Sequence, residues 1–164
     1  MKSERGGFRT LRRMQLLEGL GDDSYKSKGK LPDTTRCPTC GASFHAGRWT
    51  WDAAPDGAHE HLCPACHRIQ DKFPAGYVAL SGEFFREHRE EILGLARHCE
   101  EKEKAAHPLQ RIITIEDGAE GVLVTTTDVH LAHDIAERVH DAYQGSPVFH
   151  YNKEDNLLRA TWKR

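Results

Sequence analysis

Four of the five cysteines occur as two C-P-x-C pairs, Cys37-Pro-Thr-Cys40 and Cys63-Pro-Ala-Cys66. Cysteines at this spacing can wrap a tight turn around one soft metal ion, and two such turns complete a tetrahedral site with four sulfur ligands. The spacing therefore predicts one structural zinc ion bound by Cys37, Cys40, Cys63 and Cys66. Because four thiolates leave no open coordination position, the pattern favours a role in folding over catalysis.

Iron is the alternative metal, since rubredoxin-type electron carriers also use paired C-x-x-C turns. The fifth cysteine, Cys99, falls on the apolar side of a predicted helix and is interpreted as a small core residue. No serine or cysteine has a base placed beside it in a recognisable motif, and no glycine-rich loop for phosphate is present. The chain is therefore not predicted to be an enzyme.

An aromatic and basic run follows the first cysteine pair and contains Phe44, His45, Arg48, Trp49 and Trp51. Arginine binds phosphate through its planar fork, and tryptophan stacks on unpaired bases, so Arg48 and Trp49 are candidate RNA contacts. Strand alternation also predicts that Trp49 and Trp51 share a face and that at least one fills the small core beside the cysteines.

The net charge of −2 hides an uneven distribution along the chain. Residues 1–32 carry eight basic and four acidic side chains, whereas residues 33–105 and 106–164 each carry a net charge of −3. We interpret residues 1–32 as a flexible basic arm that reaches RNA; a solubilising tail is the alternative. The candidate contacts in the arm are Arg5, Arg9, Arg12, Arg13, Lys26, Lys28 and Lys30.

The remaining pattern predicts an α+β protein in three further segments. Residues 33–80 form the zinc ribbon, residues 81–107 a long connecting helix capped by Ser81, and residues 108–164 a ββαββ domain. In that domain Asp128 is predicted to cap a helix that has one apolar face. The predicted inner face of this helix comprises Leu131, Ile135, Val139 and Ala142.

The apolar runs are too short for a membrane span, and residues 1–30 show no secretory signal. These features predict a cytoplasmic protein. In that compartment cysteines stay reduced, which favours metal binding over disulfides.

Several segments resemble a bacterial family of small zinc-ribbon proteins of unassigned function, from about Tyr25 to the C-terminus. They are CPTCGASFHAGRW, CPACHRI, FPAGYVALSGEFFREHREEI, HPLQRI and TTTDVHLAHDIAERVHDAY. More distantly, the cysteine pairs and the strand-TTTD-helix unit are similar to the Nmd-type export adaptor of the large ribosomal subunit, an archaeal and eukaryotic family. Because the zinc ribbon of that adaptor engages the ribosome, the resemblance implies a role that faces the ribosome or its RNA.

Three functions follow as hypotheses. The first is a non-enzymatic zinc-binding protein that associates with the ribosome or rRNA, in translation, dormancy or assembly. The second is a protein–protein adaptor or regulator that uses the acidic ribbon and helix as its surface. The third is an iron electron carrier. None of them requires a membrane or a small-molecule substrate.

Overall fold

The structure, a computed structural model, describes residues 9–10, 25 and 29–164. Its strands are β1 (Arg9–Thr10), β2 (Thr35–Arg36), β3 (Ser43–His45), β4 (Arg48–Thr50), β5 (His59–Glu60), β6 (Gly76–Ser81), β7 (Ile112–Asp117), β8 (Gly121–Thr126), β9 (Ser146–Asn152) and β10 (Leu157–Lys163). Its helices are α1 (Pro64–Asp71), α2 (Glu83–Glu87), α3 (Arg89–Ala106) and α4 (Val129–Tyr143). The protein is therefore α+β, as predicted.

Residues 35–71, which we call the ribbon, contain a sheet of four short strands in the order β4-β3-β2-β5, followed by α1. Strands β3 and β4 form a two-residue hairpin whose turn consists of Ala46 and Gly47. Both turn residues have positive φ, 50° and 82°, which matches the right-handed twist of the paired strands. The hairpin places His45 and Arg48 opposite each other beside the turn.

Residues 75–164, which we call the body, supply five strands of a six-stranded sheet in the order β1-β9-β10-β6-β8-β7, and β1 adds the sixth strand at one edge. Strand β6 pairs in parallel with β10 and antiparallel with β8, so it lies in the middle of this sheet. The sequence pattern predicted that residues 76–80 belong to the zinc ribbon and that the ββαββ domain forms its sheet without them. The structure corrects that assignment: alternate residues of β6 are buried in the core of the body.

Helix α4 lies against the sheet, and α3 packs on α4. The Asp128 carboxylate caps α4 by accepting a hydrogen bond of 3.1 Å from the backbone N–H of Leu131, as predicted. Leu131, Ile135 and Val139 are fully buried, which confirms most of the predicted inner face. Ala142 is exposed instead, and Tyr143, four residues after Val139, packs against the core in the last turn.

The predicted long connecting helix is two helices, α2 and α3, separated at His88. Ser81 does not cap them, because it belongs to β6, where its carbonyl accepts a hydrogen bond from the backbone N–H of Arg164. Gly82 begins α2 without a side-chain cap. Cys99 is fully buried, as predicted, and Ile92 is fully buried on the same helix.

Gly76 allows α4 to lie close to the sheet. A Cβ at this position would overlap the Thr126 hydroxyl and the Ala132 side chain. The sheet and the start of α4 therefore approach each other at a site where no larger residue fits.

Within the predicted flexible arm, Arg9–Thr10 forms β1 and pairs antiparallel with β9.

No helix in the described part of the chain combines the length and apolar character that a membrane span requires.

Truncating the α4 face should test this packing. Leu131→Ala or Ile135→Ala should each lower the free energy of unfolding by about 2–5 kcal/mol, because each leaves a cavity between α4 and the sheet. Urea unfolding at fixed metal content measures the change. Asp141→Ala, on the exposed side of α4, is the matched control and should alter stability by less than about 0.5 kcal/mol. Near-zero loss at both core positions would contradict the observed helix orientation.

Candidate metal centre

Cys37 and Cys40 lie in the turn that joins β2 to β3. The turn closes through two backbone hydrogen bonds, from Cys37 N–H to the Ala42 carbonyl (2.7 Å) and from Gly41 N–H to the Cys37 carbonyl (3.0 Å). Gly41 has a φ of 80°, a conformation that a side chain would strain. The C-P-T-C-G sequence thus folds locally into a loop that directs both sulfurs inward.

Cys63 and Cys66 belong to the first turn of α1. Cys63 is the N-cap, Pro64 follows in the first turn, and the Cys66 N–H donates a hydrogen bond of 3.3 Å to the Cys63 sulfur. Proline suits this position because its missing N–H would have no partner in the helix. The Cys63 N–H reaches across to the Cys37 sulfur at 3.3 Å and so links the two cysteine pairs.

The four sulfur atoms all lie within 4.8 Å of one another. The Cys40 and Cys63 sulfurs are 3.8 Å apart, which is the edge length of about 3.8 Å expected for a tetrahedron with metal–sulfur bonds of about 2.3 Å. Cys37 and Cys63 are fully buried. The four cysteines are therefore positioned to bind one metal ion in a closed site, and the donor set fits a soft metal such as zinc.

Arg111 contributes the second feature of the site. This residue of the body is only 7% exposed, and its guanidinium donates hydrogen bonds to three of the sulfurs. The distances are 3.2 Å to Cys66, 3.1 Å to Cys40 and 3.4 Å to Cys63. Because a divalent ion with four thiolates carries a net charge of −2, one guanidinium neutralises half of it in a buried environment.

The threonine run before α4 holds Arg111 in place. The Thr127 hydroxyl accepts a hydrogen bond from the Arg111 N–H (2.9 Å), and the Thr127 N–H donates to the Arg111 carbonyl (2.9 Å). The Arg111 Nε donates to the Pro108 carbonyl at 2.8 Å, which fixes the direction of the guanidinium. The body therefore presents a rigid cation to the ribbon.

The surroundings shift the pKa values of these groups in different directions. Burial raises the pKa of the Cys37 thiol, but backbone N–H groups of Cys63 and Cys40 outweigh it and bring the pKa to about 7. Burial raises the pKa of Cys63 and of Cys66, and the Arg111 guanidinium opposes the rise at Cys66. Burial lowers the pKa of Arg111, but the hydrogen bonds and charges of the cysteine sulfurs raise it by more. The pKa of Arg111 therefore lies above its ordinary value, and the side chain stays charged. Metal binding must therefore displace protons from the buried thiols.

The two tryptophans near the site have different positions. Trp49 packs against the cysteine cluster and meets its cross-strand partner Phe44 edge to face, with ring centroids 5.6 Å apart. Trp51 is 38% exposed, and its indole N–H donates a hydrogen bond of 2.6 Å to the Lys104 carbonyl in α3. Trp49 thus packs on the small core while staying partly exposed, in line with the expectation for at least one of them, and Trp51 joins ribbon to body.

The structure brings together three of the candidate RNA contacts: Arg48, Trp49 and Lys30 line one cavity beside the metal centre. Arg9 lies in β1, and its side chain is not described. The other arm candidates, Arg5, Arg12, Arg13, Lys26 and Lys28, lie outside the described residues.

Sequence reasoning missed Arg111. A single arginine precedes the apolar run Ile112, Ile113 with nothing in its spacing to connect it to the cysteines. The signal that could have identified Arg111 is its place as a charged residue at the start of a predicted apolar strand. A cation buried at such a position needs an anionic partner elsewhere in the fold.

No protein-family model, curated protein or solved structure matches the chain. The family resemblance of its cysteine and TTTD segments therefore stays a prediction.

Replacing a ligand should abolish the metal centre. Cys40→Ser should lose stoichiometric metal and unfold the ribbon, because such sites contribute roughly 10 kcal/mol of folding free energy. Elemental analysis of freshly purified protein should find one zinc per wild-type chain, and the colourless solution would exclude the red ferric alternative. Cys99→Ala, at the buried cysteine of α3, is the control and should retain full metal content. Less than one metal ion per wild-type chain would contradict the site.

Removing the buried cation should weaken metal binding without removing a ligand. Arg111→Gln should lower metal affinity by about 10–100-fold, the range observed when groups behind metal ligands are replaced. Arg111→Lys keeps the positive charge but lacks the planar guanidinium fork, so this variant should lose less metal affinity than Arg111→Gln. Competition with a chromogenic chelator measures both, with Arg97→Gln on the exposed face of α3 as control. Equal affinities for Arg111→Gln and wild type would show that the guanidinium does not stabilise the bound metal.

Proposed function

We propose that the protein is a non-enzymatic zinc-binding protein that associates with ribosomal RNA. The observation that carries the proposal is the position of Arg48 and Trp49 on the hairpin of the ribbon. The hairpin is built on β3, which begins three residues after Cys40, so a cation and an aromatic ring are held beside the metal centre. This pairing of groups suits a phosphate and an unpaired base.

A structural role for the metal supports a binding function over catalysis. The four cysteine sulfurs are placed to supply all four coordination positions of one ion, and three of those sulfurs accept hydrogen bonds from Arg111. A tetrahedral ion with this donor set has no position left for a substrate or an activated water. Because a closed site of four thiolates suits zinc or iron, the choice of zinc rests on the sequence, which shows no motif for a redox partner or a flavin.

The charge distribution supports an RNA partner. The arm of residues 1–32 has a net charge of +4, whereas the rest of the chain is acidic. An acidic body repels RNA, so attraction must come from local cations, and the arm and the hairpin supply them. The resemblance of the cysteine segments to the ribosomal export adaptor points to the ribosome as the source of that RNA.

Neutralising the arm should weaken ribosome binding without disturbing the metal centre. A variant with Arg5, Arg9, Arg12 and Arg13 changed to Gln should pellet less with purified ribosomes. Its slope of log affinity against log salt should fall by up to about 3, because each phosphate contact contributes about 0.7–0.9. Pelleting assays across a potassium chloride series measure both.

The matched control changes Arg97 and Lys102, exposed cations of α3, to Gln and should leave the slope unchanged. Zinc content should equal wild type in both variants. If wild type does not pellet with ribosomes at any salt concentration, the ribosomal proposal fails. If it pellets from lysate equally well after ribonuclease treatment, the partner is a protein and the adaptor hypothesis gains the advantage.

A further inference from the structure

A cavity of about 540 Å³ lies between the ribbon and the body, beside the metal centre. This volume is within the range of about 300–1,000 Å³ typical of small-ligand sites. Both halves of the molecule and the segment that precedes the ribbon supply its walls. The side chains that matter for recognition are those of Trp49, Arg48, Lys30, His61, His107 and His130.

One wall offers an aromatic surface whose position is fixed. Trp49 lines the cavity and also packs against the cysteine cluster, and the ring of Phe44 contacts it edge to face. Leu109, from the segment after α3, lines the cavity and packs on the same cluster. A ring held in this way loses little freedom when a planar ligand stacks on it.

The rim offers cations. Lys30 comes from the segment before the ribbon and Arg48 from β4; both are exposed, and both line the cavity. Asp128 is the acidic residue among the described lining residues, and its carboxylate accepts a hydrogen bond from the Leu131 N–H at the start of α4. The combined charge therefore favours an anion at the rim.

We propose that this cavity binds one unpaired nucleotide, with its base against Trp49 and its phosphate between Lys30 and Arg48. The imidazoles of His61, His107 and His130 supply donors and acceptors for the edge of the base. A nucleoside monophosphate unit combines the planar ring and the anion that these walls require. The unit belongs either to single-stranded RNA or to a free nucleotide, and the RNA source rests on the function proposed for the protein.

The indole N–H signals of an NMR spectrum report on the cavity directly, because the three tryptophans lie in different places. Zinc-loaded full-length protein is titrated with adenosine 5′-monophosphate, an eight-residue oligoadenylate, adenosine and inorganic phosphate. The nucleotide or the oligonucleotide should shift the Trp49 signal and leave that of Trp162, which is fully buried in the body, unchanged. Tighter binding of the oligonucleotide identifies RNA as the source, and tighter binding of the monophosphate identifies a free nucleotide.

The double variant Lys30→Ala, Arg48→Ala should lower affinity by at least about tenfold, since it removes two charged partners of the phosphate. Arg97→Ala, Lys102→Ala removes the same residue types from α3 and should bind as wild type. The proposal is overturned if neither nucleotide probe shifts Trp49, if the double variant binds as wild type, or if phosphate alone gives the full response.

These outcomes separate the cavity from the function on which its RNA source rests. Salt-dependent pelleting with ribosomes, without any Trp49 response, would refute the nucleotide site and leave ribosome association standing. A Trp49 response to a nucleotide in a protein that never pellets with ribosomes would do the reverse.

Discussion

The contact between Arg111 and the cysteine sulfurs is the interaction on which the arrangement of the molecule depends. Four thiolates around a divalent ion would leave a buried excess of negative charge, and a buried guanidinium without partners would be equally unfavourable. Each group therefore requires the other. Because Arg111 belongs to the body and the cysteines to the ribbon, this mutual requirement fixes the two halves against each other.

The neighbouring contacts follow from that fixed orientation. Trp51 donates its indole N–H to the carbonyl of Lys104, and Leu109 packs on the cysteine cluster, so the segment at the end of α3 lies against the ribbon. The cavity forms where the two halves diverge again. Its aromatic wall, Trp49, packs against the cysteine cluster, so the candidate metal centre supports one side of the cavity.

Local signals in the sequence were sufficient for the cysteine ligands, the Asp128 cap and the buried face of α4, because each depends on residues a few positions apart. The place of β6 in the sheet was not predictable in this way: its parallel partner β10 lies near the other end of the body, and no local pattern encodes that pairing. The same applies to Arg111, whose role depends on sulfur atoms 45 and more residues away. The split between α2 and α3 was missed because the helical spacing of apolar residues continues through His88. Ser81 was expected to cap the helix, but its carbonyl accepts a hydrogen bond from the Arg164 N–H in the sheet.

The order of the chain also sets an order of assembly during synthesis. Cys37 through Cys66 leave the exit tunnel well before Arg111, and the ribbon is closed by contacts within that stretch. The body, in contrast, stays open until β10 arrives to pair with β6. An ion bound by the ribbon at this stage would lack the hydrogen bonds from Arg111, so the first complex would carry the full net charge of −2. Once the body has folded, the Arg111 guanidinium would compensate half of that charge.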